Sequence, residues 1–125
     1  MKALINLGRY IFAIPVGIFG VLHYMNADAM AAMVPIAGGK LWIFITGTAL
    51  ILSSVSIFLG KLDKLACVLL AIMLIFFVLL IHLPGTLNSD VLMKQANMTA
   101  VLKDLALAGG ALMCADHARD NSVIG

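Results

Sequence analysis

The sequence predicts an all-α protein: one bundle of four transmembrane helices, a single domain over residues 1–125, with the N- and C-termini on the cytoplasmic side. Three observations lead there. Residues 10–27, 41–60 and 65–89 contain no Asp, Glu, Lys or Arg, and residues 98–115 carry only Lys103 and Asp104, near their start. A helix of about 20 apolar residues matches the hydrocarbon thickness of a bilayer. The composition is 63% hydrophobic and 11% charged, where soluble domains run near 25% charged. Four such helices with short connections use nearly all of the 125 residues, which leaves no room for a separate soluble domain.

The first helix is expected over residues 4–25. Lys2 and Arg9 followed by an apolar stretch and Ala27-Asp28-Ala29 imitate a secretory signal. Pro15, Gly17 and Gly20 suit a packed membrane helix better than a plain signal core, so the segment reads as a retained span. The second helix is expected over 41–59, and residues 60–64 form a tight turn. The third covers 62–83 and stops at Pro84-Gly85, because proline cannot continue the ladder and glycine permits the turn. The fourth covers 98–115. Between the last two, residues 86–95 suggest a short interfacial helix.

Lys and Arg bias a loop toward the cytoplasm. Lys2, Arg9, Lys61, Lys64 and Arg119 fall on one side of four crossings; Lys40, Lys94 and Lys103 fall on the other. That places both termini inside and the loops at residues 26–40 and 84–97 outside. The basic residues are scattered, with no footprint for nucleic acid.

Helical spacing gives three stripes of mostly small residues: Arg9, Ala13, Gly17, Gly20 and Tyr24; Thr46, Ala49, Ser53, Ser56 and Gly60; and Ala100, Asp104, Ala108, Ala111 and Ala115. Small residues let helices approach closely in lipid, and Gly17, Gly20, Gly109 and Gly110 are expected at packed contacts. Cys67 and Cys114 form no CxxC pattern and read as small buried hydrophobes.

Polar groups at membrane depth are costly and mark function. His23, His82, Lys103 and Asp104 all fall at the outer ends of their helices in this topology, hence at one depth. Three readings apply to that layer. It is a plain interfacial belt with Lys103 snorkelling; or it is a polar pocket for a headgroup, a quinone or a small substrate; or His23 and His82 act as axial ligands to a b-type haem, or join Asp104 around a metal. Spacing supports no dedicated metal site. Arg9, one turn into the first helix, is a structural or anion contact, reaching inner phosphates or the C-terminal end of the fourth helix. His117 lies in a solvated tail.

The segment Lys103-Asp104-Leu105-Ala106-Leu107-Ala108-Gly109-Gly110-Ala111-Leu112 resembles the K-[ND]-L-x-L-x-G-G-x-L pattern of the DoxX family of small four-helix membrane proteins. Gly60-Lys61-Leu62-Asp63-Lys64-Leu65-Ala66 through His82 is similar to its G-x-x-x-[KR]-x-A run ending in a boundary histidine, and Arg9, Gly20, His23 and Tyr24 to its first-helix pattern. Many members carry a glutamate in the second helix; this chain has no Glu, and Thr46 and Gly47 stand there. The resemblance implies a bacterial cytoplasmic-membrane protein. A DoxD relative is a membrane subunit of a thiosulfate:quinone oxidoreductase, and other relatives act as accessory or assembly factors. The expected function is therefore an accessory or structural subunit of a larger quinone- or electron-transfer-linked complex, with membrane protein partners or copies of itself. The alternative is an autonomous membrane oxidoreductase or quinone-binding protein using the outer polar layer. No residue is assigned a catalytic role.

Overall fold

A computed structural model describes residues 1–32 and 38–124. These residues are helical, without strands, and four stretches are long and apolar enough to cross a membrane. In chain order the elements are α1 (Lys2–Asn6), α2 (Gly8–Met25), α3 (Ala27–Ala31), α4 (Gly39–Leu59), α5 (Asp63–Phe77), a π-helical turn (Val78–His82), α6 (Leu83–Gly85) and α7 (Val91–Asp116). The outward-facing side chains are apolar, among them Ile11, Ile14 and Ile18 on α2 and Leu52, Val55 and Phe58 on α4. A surface of that kind suits a lipid solvent.

The bundle is two tight helix pairs, α2 with α4 and α5 with α7, joined by a looser α4–α5 contact. Glycines set the first pair. A Cβ on Gly20 would lie 2.7 Å from the Gly47 carbonyl oxygen and 2.6 Å from Ile51 Cγ1, and one on Gly17 would meet Ser54 Oγ at 2.8 Å. Ser54 Oγ donates to the Ala13 carbonyl at 2.8 Å, satisfying the hydroxyl inside the contact. At the far end of the pair the Tyr24 and Thr48 hydroxyls hydrogen-bond, and Thr48 donates on to Phe44 O. In the second pair Leu70, Ala71 and Leu74 pack on Ala108 and Ala111.

The first and third stripes face inward much as their spacing indicates, with Ala13, Gly20, Asp104, Ala108, Ala111 and Ala115 buried. The second divides between two neighbours. Gly47, Ile51 and Ser54 meet α2, while Ala49, Ser53 and Ser56 line a groove against α5. Gly110 packs under the Phe12 ring, but Gly109 is exposed, and a methyl group placed on it would meet nothing within 4 Å. Its neighbours Ala108 and Ala111 take the inward positions, which turns Gly109 outward.

Two boundaries differ from the sequence reading. The fourth span begins at Val91, not at 98, because Asp90 caps it by accepting from Leu92 N–H at 3.0 Å and no Pro or Gly interrupts the next turns. Residues 91–97 therefore belong to α7 itself and form no separate interfacial helix. The third span runs on to Gly85 through the π turn. Pro84 lacks an N–H and crowds the carbonyl four residues back, and the widened turn falls on that stretch. Of the first loop, residues 26–32 and 38–40 are described and contain α3; 33–37 lie outside the described residues.

One end of the bundle is closed by a carboxylate. Asp63 is fully buried at the start of α5. Its oxygens accept from Arg9 Nη2 at 2.6 Å, from the Arg119 and Asp120 backbone N–H groups at 2.9 Å each, and from Lys64 N–H at 3.1 Å. Arg9 also donates to the Ile57 carbonyl at 2.9 Å. The basic side chain thus joins α2 to the ends of α4 and α5 rather than to α7. The turn beneath uses left-handed backbone at Gly60 (φ +68°) and Leu62 (φ +55°), the latter held by Asp120 Oδ2 accepting from its N–H at 2.7 Å.

Two outcomes follow. Gly20→Val forces α2 away from α4 and lowers stability by about 1–3 kcal/mol, read as a thermal shift in detergent, whereas Gly109→Val leaves the melting temperature within error. Asp63→Ala strands the buried Arg9 charge and costs about 3–5 kcal/mol; it also frees the C-terminal segment, so trypsin cuts after Arg119 faster than in the parent protein.

Candidate functional site

Toward the other end the two helix pairs separate around a cavity of about 780 Å³, walled by all four long helices. The volume falls within the range of small-molecule sites, about 300–1,000 Å³. Its walls are apolar: Val16 and Phe19 from α2, Ile43 and Leu50 from α4, Leu74 and Phe77 from α5, Leu107 from α7. Trp42 and Met30 stand near its mouth, together with Asn26 of the first connection.

The four polar residues expected at one depth all line this cavity. His82 Nε2 lies 3.2 Å from Asp104 Oδ2, and Asp104 is 4% exposed. Lys103 Nζ is 3.7 Å from the other carboxylate oxygen and 4.8 Å from the centroid of the Phe19 ring. The cation is therefore shared between a carboxylate and an aromatic face. His23 donates from Nδ1 to the Phe19 carbonyl at 2.7 Å. In a neutral ring this leaves its Nε2 as an acceptor. His82, Asp104 and Lys103 are thus in mutual contact through the carboxylate, and His23 faces the same cavity.

Local structure explains the convergence. The π turn ends at His82; such turns re-aim the side chains they carry and recur at functional positions. Asp104 belongs to the inward stripe of α7, one turn before Ala108. Because α7 starts at Val91, Lys103 and Asp104 sit roughly 20 Å along the helix instead of at its beginning. The burial of Asp104 sets it apart from a residue of a solvated belt, while Lys103 stays half exposed.

Sequence reading passes over a further member, Asn97. It is 4% exposed; its Nδ2 donates to the Met93 carbonyl at 2.8 Å, and its Oδ1 lies a long 3.5 Å from His82 Nδ1. Gly85 packs directly on the Asn97 carboxamide, leaving no room for a Cβ. The available signal is a polar residue one helical turn before Ala100, at the head of the third stripe, hidden because the segment reads as loop. Both nitrogens of His82 are thus faced by oxygen, and Nδ1 of His23 is committed to a carbonyl. With oxygen against both of its nitrogens, His82 is placed for hydrogen bonding rather than for axial haem ligation, which requires a ring nitrogen turned to iron; His23 keeps Nε2 open. No cluster of three or more His, Cys, Asp or Glu side chains arranged for a metal exists among the described residues. Arg9 lies outside this layer, in the Asp63 knot. His117 is exposed, with Nδ1 donating to the Met113 carbonyl at 3.1 Å.

No family model, no curated protein and no solved structure matches the chain.

Replacing Gly85 with alanine displaces Asn97 from His82. The expected result is a changed ¹⁵N shift of the His82 imidazole and a stability loss of about 1–3 kcal/mol; an unchanged imidazole signal contradicts the described packing.

Proposed function

We propose that the protein binds an amphipathic small molecule of the quinone type within the membrane. The apolar body lies between the helix pairs and the polar head meets His23, His82, Lys103 and Asp104. The observation that carries this reading is a cavity walled by all four spans, with its polar groups gathered at one level of an otherwise apolar lining. The chemistry of that level selects a neutral head. Lys103 and Asp104 offset one another, so a phosphate-bearing headgroup finds no uncompensated charge, whereas a carbonyl or hydroxyl finds a donor at Lys103 and acceptors at His23 and Asp104.

Binding is the class of activity this supports; catalytic roles are left unassigned. The reading includes membership in the DoxX family, supported by residues 103–112, and a place in the bacterial cytoplasmic membrane with both termini inside, supported by the loop distribution of Lys and Arg. An accessory subunit of a quinone-linked complex is compatible with it. The small-residue stripes that favoured that role are largely consumed between the protein's own helices, which shifts weight to the ligand.

Trp42 is the single tryptophan of the chain and lines the cavity, so its fluorescence reports occupancy. Titration of detergent-purified protein with a short-chain quinone is expected to quench it saturably. Asp104→Asn, which weakens the charged partner of His82 and Lys103, is expected to reduce affinity about tenfold, or about 1.4 kcal/mol. Unsaturable quenching, identical in both proteins, is partition into detergent and overturns the reading.

A further inference from the structure

The closed end of the bundle holds a second chemical group that the cavity does not use. Cys67 of α5 and Cys114 of α7, 47 positions apart in sequence, meet where these neighbouring helices pack, Cys114 lying against the buried cluster that contains Cys67. The cluster is completed by Ala13, Ile57 and Ala115. They are unequal in access. Cys67 is fully buried, while Cys114 is half-buried and lies within one turn of the end of α7 at Asp116.

From this juxtaposition we propose that Cys67 and Cys114 form a dithiol that exchanges with a low-molecular-weight disulfide to give an intramolecular Cys67–Cys114 bond, Cys114 being the entry thiol and Cys67 the resolving one. The step balances as ordinary exchange. The Cys114 thiolate attacks the incoming disulfide, forms a mixed disulfide and expels one small thiolate. The Cys67 thiolate then attacks Cys114 Sγ and expels the second. Two protein thiols are oxidised, one external disulfide is reduced to two thiols, and the two protons released by the cysteines pass to the departing thiolates. Access orders the steps: an external disulfide reaches a half-exposed sulfur near the helix end before a fully buried one. The bond formed ties α5 to α7 beside the Asp63 knot.

The experiment uses the full chain in detergent, treated with oxidised glutathione, quenched with an alkylating reagent under denaturing conditions and read by intact mass. The parent protein is expected to lose two hydrogens and both alkylation sites, as a monomer. Cys67→Ser is expected to accumulate a glutathione adduct at Cys114, and Cys114→Ser to gain none while folded. Cys67→Ala serves as a second variant where serine unfolds the core, and the parent protein tests the proposal without any substitution. Two alkylatable cysteines after oxidation, a persistent glutathione adduct on the parent protein, or a disulfide-linked dimer overturns it.

Discussion

The fold turns on one buried carboxylate. Asp63 carries no solvent exposure, yet its oxygens meet a guanidinium from α2 and two backbone N–H groups from the C-terminal segment. A lone charge there would be costly, and removing one member of a buried pair leaves the other uncompensated. Because the partners come from distant parts of the chain, the knot holds α2, the α4–α5 turn and the end of α7 to a common level. It is a registration device as much as a source of stability. Below it Ala13, Ile57, Cys67 and Ala115 fill the space between the helices.

Among the described residues the opposite end shows no buried carboxylate knot of this kind, and there the helix pairs part. Glycines bring α2 and α4 into close contact, and alanines do the same for α5 and α7, but across the pairs the contacts pass through large side chains such as Phe12 and Phe19. Tight pairing within and bulky contacts between produce a cavity as a geometric consequence. The polar groups that line it would be a liability against hydrocarbon. His23, His82, Lys103 and Asp104 each have a partner inside the protein: Asp104 for His82 and Lys103, the Phe19 carbonyl for His23. On the proposed reading, such a site is ordered before its ligand arrives, which lowers the entropic cost of binding.

Much of this is legible in the sequence, and the physical reasons for the remainder are specific. The four spans follow from uninterrupted apolar runs, since membrane length is a strong and local constraint. The grouping of His23, His82, Lys103 and Asp104 follows from depth, which alternates with each crossing. Depth says nothing about azimuth, so the contact between His82 and Asp104 and the existence of a cavity require coordinates. Asp63 reads as an ordinary turn residue because its partners, Arg9 and the amides of Arg119 and Asp120, lie more than fifty positions away. Asn97 is hidden by an assumed loop that α7 in fact includes. The pairing of Cys67 with Cys114 depends on the rotation of α5 against α7, which no spacing within one helix reveals, and the same limit explains why Gly109, expected at a contact, faces outward.

The central claim is that the two ends of the bundle are organised by different carboxylates, Asp63 closing one and Asp104 lining the other. Solid-state NMR of the isotopically labelled protein in lipid bilayers tests it directly. Through-space correlations from the Asp63 side-chain carboxyl carbon to the Arg9 guanidinium and from the Asp104 carboxyl carbon to the His82 imidazole are the expected result. Their absence in the lipid-embedded protein, or an Asp63 carboxyl in contact with water alone, would contradict the account.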